Sequence, residues 1–67
     1  MKQLFAIELG HRRGIIAVVA KFDYTNKTAT FQTHVNGLPI FESENYEQAR
    51  YIALNIHELN EQKELAN

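Results

Sequence analysis

The densest cluster of side chains able to grip a charged ligand is His11-Arg12-Arg13, held between Gly10 and Gly14. Adjacent guanidinium groups bind phosphates or carboxylates through charge-assisted hydrogen bonds. The tripeptide is therefore the candidate contact for an anionic partner, the alternative being solubilising charge at a hairpin tip. Bond-making chemistry is harder to find. Ser43 is the one serine, Asp23 the one aspartate, and cysteine is absent. No serine, histidine and acid stand at the spacing of a nucleophile motif. His11, His34 and His57 are far apart in sequence, and no two share the i, i+4 spacing of a helical metal site. Glu42, Glu44 and Glu47 gather where a helix is expected to begin, and carboxylates there complement the helix dipole without any catalytic task. Gly10 and Gly14 precede a strand rather than a helix, which does not make a phosphate loop. These residues predict a protein that is not an enzyme and has no metal and no cofactor.

The elements that must position these residues are bounded by size and charge. A chain of 67 residues makes one domain and buries only about 60% of its unfolded surface. Without cysteine, self-association is the favoured remedy for so thin a core. Residues 1–38 carry five Lys and Arg against two Asp and Glu, whereas residues 39–67 carry two against six. The chain is thus electrically two-ended, which suits a charged partner or a head-to-tail contact, or else a solvated acidic helix. Leu4 to Ile7 is too short an apolar run for a secretory signal of about 7–15 residues. Ile15 to Ala20 is far below the roughly 20 needed to span a bilayer. The expectation is a cytoplasmic protein with no membrane partner.

Period-two patterning fills the first half. Strands are predicted at about 3–9, 15–24 and 28–35, with a short fourth at 38–41 confined to an edge by Pro39. Asn26 is placed to turn the second hairpin, and Asn36-Gly37 is a strong signal for the third. From about residue 44 the period becomes helical. Ala49, Ile52, Ala53, Ile56 and Leu59 form one apolar stripe, and the helix runs to about residue 65. Asn45 and Gln48 have the spacing of a capping box. The fold class is α+β: a three-stranded antiparallel meander with a short fourth edge strand and one long C-terminal helix packed on one face.

Gly14–Phe22, GIIAVVAKF, is apolar on both faces until Lys21, and strands of that kind are buried on both sides. One helix covers one face. With Ile16, Val18, Ala20, Phe22 and Tyr24 beneath it, Leu4, Ala6, Ile15, Ala17, Val19 and Lys21 form the opposite, open face. That apolar patch with a polar rim is the candidate interface for a second copy or another protein. A second candidate is the acidic outer stripe of the helix, Glu47, Tyr51, Leu54, Glu58 and Glu61.

A sheet followed by one long helix resembles the order of plant ethylene-response DNA-binding domains and of the arm-site-binding domains of phage-type integrases. The segment FESENYEQARYIA is similar to their strand-to-helix passage. It is also similar to the end of double-stranded-RNA-binding domains and to the sheet domain of HicB-family antitoxins. The first two resemblances imply a sheet face that enters the DNA major groove. Here the centre of that face is Ala6, Ala17 and Val19, where a DNA reader needs arginines. In size and lack of cysteine the chain is similar to accessory proteins of phages and mobile elements, including anti-CRISPR inhibitors. The reading is a non-enzymatic homodimer that binds and regulates or inhibits another protein. The alternative is a small DNA-binding module using the open sheet and the basic loop.

Overall fold

The computed structural model describes residues 2–9 and 14–66, with side chains through Gln62. Strands β1 (Lys2–Leu9), β2 (Gly14–Asp23), β3 (Thr28–Val35) and β4 (Leu38–Ser43) precede a single helix, α1 (Tyr46–Ala66). The strands form one antiparallel sheet in the order β1-β2-β3-β4. The fourth strand is a full member of the sheet, six residues long. Pro39 is accommodated at the sheet edge, opposite His34, beside a break in register between Thr33 and His34. An edge strand tolerates the missing N–H that a central strand would not.

Each turn has a local cause. Asn36 and Gly37 both take positive φ, 53° and 84°, which is what a tight hairpin with the right-handed strand twist requires. At the β2–β3 turn Lys27, rather than Asn26, takes the left-handed conformation, with φ 54°. Asn26 is otherwise engaged, since its side-chain amide donates to Asp23 Oδ2 at 2.8 Å and its backbone N–H to Oδ1 at 3.2 Å. Thr25 N–H completes the bracket on Asp23 Oδ1 at 3.0 Å. These donors, the Asn26 side chain first, hold the Asp23 carboxyl below its ordinary value.

The helix start is a variant of the expected box. Asn45 Oδ1 accepts from Glu47 N–H at 2.8 Å. Gln48 Oε1 accepts from the Ser43 hydroxyl at 2.6 Å, and Ser43 Oγ accepts from Asn45 N–H at 3.0 Å. Ser43 therefore stands between the two capping residues and ties β4 to α1.

Small residues set the helix-to-sheet distance. Ala49 and Ala53 are fully buried against Ile16 and Val18, with Leu9 closing the cluster. Their short side chains let Thr33, also fully buried, donate its hydroxyl to Ala49 O at 2.8 Å. Phe31 meets Tyr46 edge-on, ring centroids 5.7 Å apart, and the Arg50 guanidinium lies 5.6 Å above Phe5. Phe22 and Tyr24, expected under the helix, lie exposed beyond its first turn and stack on each other at 6.2 Å. The helix begins level with Phe31, three residue pairs short of the end of the β2–β3 ladder.

This layout is long and thin, 49 × 18 × 15 Å. Its radius of gyration is 13.1 Å, against about 11 Å for a compact domain of this length. Accessible surface is 5008 Å², against about 4300 Å² for a compact monomer of this mass. One helix leaves a four-stranded sheet half dressed.

Candidate interaction surfaces

The open face is built by β2 register. Ala17 pairs with Ala6 on one side and His34 on the other; Ile15 pairs with Glu8; Lys21 pairs with Thr30. These side chains therefore share the surface turned away from α1. At Leu4 the register slips: Gln3 pairs with Val19 and Phe5 with Val18, leaving Leu4 as the extra residue of a bulge. Gln3, not Leu4, flanks Val19 on the open face. Period-two counting from Phe5 cannot foresee that exchange, because a bulge reverses the alternation on one side of itself.

The patch is smaller than its composition implies. Ala17 is only 9% exposed and Val19 half-buried, while Ile15 stays 47% exposed. Ala17 sits at the floor of a shallow concavity of about 460 Å³, walled by Gln3, Ile15, Val19, His34 and Asn36. One wall is braced: His34 Nε2 lies 3.0 Å from Gln32 Oε1, and Gln32 Nε2 donates to Glu42 Oε1 at 2.8 Å. Another is locked by Asn36, whose side chain accepts from Ile15 N–H at 2.9 Å. Gly14, with φ 118°, leaves room for that carboxamide, and a Cβ there would overlap it. A dent with fixed walls can receive one apolar side chain from a partner.

The second surface lies on the opposite side of the molecule. Glu47, Tyr51, Leu54, Glu58 and Glu61 are all exposed on the outer face of α1. Tyr51 and Leu54 border an open groove of about 700 Å³ that also takes in Glu47, Gln48, Arg50 and Ile52 of α1 and Phe41 of β4. Phe41 owes its place to the β4 bulge. It pairs with Thr33, whereas Leu38 pairs with Val35, so residues three apart share the helix side. Leu38 is 69% exposed there, and Ile40 and Leu59 are exposed nearby in sequence on β4 and α1. Sequence alternation missed Phe41, Leu38 and Ile40 as surface builders for the same reason that it missed Gln3. Glu47 pairs loosely with Arg50 at 3.8 Å, and Glu61 with His57 at 3.4 Å.

His11, Arg12 and Arg13 lie outside the described residues. Among the described residues, no three of His, Asp and Glu are grouped so as to hold a metal ion, and no helix is long and apolar enough to cross a membrane. Compared with family models, curated proteins and solved structures, the chain matches none.

Proposed function

We propose that this chain is a non-enzymatic interaction module that pairs with a second copy through its open sheet face and presents α1 to another protein, which it regulates or inhibits. The observation that carries the reading is the excess of surface. A chain of 67 residues with 5008 Å² accessible exposes about 700 Å² more than a compact monomer of its mass. Two apolar surfaces on opposite sides of the molecule account for where partners would sit. The sheet face offers Ile15 beside a dent floored by Ala17, a self-complementary pair of features for a two-fold contact. Duplex DNA has less behind it. Among the described residues of that face Lys21 is the one cation, set against Glu8, Asp23 and Glu42, and phosphate contacts need clustered cations.

Light scattering on the wild-type chain across the micromolar range tests the dimer. The expected result is a mass that climbs from one chain toward two as concentration rises. A constant single-chain mass up to about millimolar, where even weak specific contacts of μM–mM affinity populate, would sink it.

A further inference from the structure

On the outer face of α1, Glu47, Tyr51, Leu54, Glu58 and Glu61 follow one another at steps of four, three, four and three residues. That is the spacing of the contact seam of a paired helix. Its centre is apolar and accessible, with Tyr51 64% and Leu54 38% exposed, and its ends are carboxylates. Beside the centre the groove opens toward Phe41 and Ile52. We infer that this seam and groove dock a basic amphipathic helix of another protein, its apolar residues on Tyr51 and Leu54 and its lysines or arginines on Glu47, Glu58 and Glu61. The inference rests on the reading of the chain as an interaction module and names the chemistry of its partner.

Two other occupants fit less well. A second copy of α1 gains little from meeting itself: side by side in parallel, Glu58 faces Glu58, and antiparallel about Leu54, Glu47 faces Glu61, which offsets the facing of Glu58 and Arg50. Carboxylates set against each other in a seam oppose pairing. A strand added to the sheet edge that borders this groove would pair along β4, where Pro39 supplies no N–H and the bulge breaks the ladder. Such features blunt edges against strand addition. A helix needs neither a free edge nor a matching acid face. It needs apolar anchors at three- and four-residue spacing and cations outside them. From Glu47 to Glu61 the seam is about 21 Å long, or about four turns of partner.

The test is a selection from a random peptide library displayed on phage, using the full chain as bait, followed by titration of the enriched synthetic peptides by fluorescence anisotropy. The expected peptides carry a net positive charge and apolar residues at helical spacing. Their affinity should fall about tenfold or more on Tyr51→Ala/Leu54→Ala, as for aromatic anchors at other interfaces. Alanine is the best helix former, and circular dichroism checks that this variant folds. Glu47→Gln/Glu58→Gln/Glu61→Gln should weaken binding and flatten its salt dependence, while Val19→Asp should leave it unchanged. Recovery of no binder, or of peptides that bind Tyr51→Ala/Leu54→Ala as tightly as wild type, or of acidic peptides, overturns the inference. Because the dimer is read by mass and the seam by peptide binding, either can fail with the other standing.

Discussion

Val19→Asp is the sharpest probe of the sheet face, and its effect can be worked from the geometry. Four strands spaced about 4.8 Å apart make a face about 19 Å wide, and eight residues make it about 27 Å long. Each copy would then bury about 500 Å², or about 1000 Å² in all, at the lower edge of specific interfaces. Such a contact is expected in the micromolar range, about −8 kcal/mol. Val19 is half-buried on β2, between Gln3 and Gln32. An aspartate there carries a carboxylate into each half of the contact. At even about 2 kcal/mol of desolvation per copy, the pair loses about 4 kcal/mol, close to a thousandfold in affinity. The monomer loses far less, about 1 kcal/mol of strand preference out of about 3–10 kcal/mol of total stability for a chain this size. Light scattering at about ten times the wild-type dissociation constant should find the variant monomeric, with its far-ultraviolet circular dichroism unchanged. A folded Val19→Asp chain that keeps the wild-type mass would place the interface elsewhere and refute this use of the sheet.

Thr33→Val exchanges the buried hydroxyl on Ala49 O for a methyl and should cost about 1 kcal/mol, read as a lower urea midpoint; a variant as stable as wild type would mean that the bond contributes nothing net. Gly14→Ala forces a Cβ into a backbone with φ 118° and onto the Asn36 carboxamide. A loss of about 1–3 kcal/mol should appear as a melting temperature at least several degrees lower, and an unchanged melting temperature would argue against that packing. The Asp23 carboxyl, held down first by the Asn26 side chain, should titrate by carbon-13 NMR below the ordinary aspartate value of about 3.9. Because its folded value is depressed, its contribution is present above the unfolded value and fades as pH falls through the folded one. Asn26→Ala should return the midpoint toward normal.

Most of the framework was legible because each element announces itself locally. Asn36-Gly37 allows positive φ twice in succession, which fixed the third turn, and the alternation in β3 fixed its faces. Ala49 and Ala53 mark where the helix comes down, since only short side chains permit the Thr33–Ala49 bond. What escaped was every consequence of a register slip. The bulges at Leu4 and beside Pro39 are set by pairing between strands, and a period counted along one strand carries no trace of them. Gln3 thereby entered the open face, and Phe41 entered the groove. Phe22 and Tyr24 escaped for another reason. Their alternation with Val18 and Ala20 is correct, but whether a helix reaches over them depends on where Asn45 caps α1.

The two bulges also bear on how the module would choose its partners. They lie on β1 and β4, the two edge strands of the sheet, so both edges are blunted against pairing with another strand. Association is thereby directed to faces, and the faces differ in kind. The sheet face carries a dent and an isoleucine that a two-fold axis can bring together, whereas the α1 seam ends in carboxylates that a two-fold axis would set against each other. Self-recognition on one side and recognition of a basic partner on the other then need no switching between them. Mutations that abolish one should leave the other intact, and a single variant that abolished both while remaining folded would mean that they are one surface.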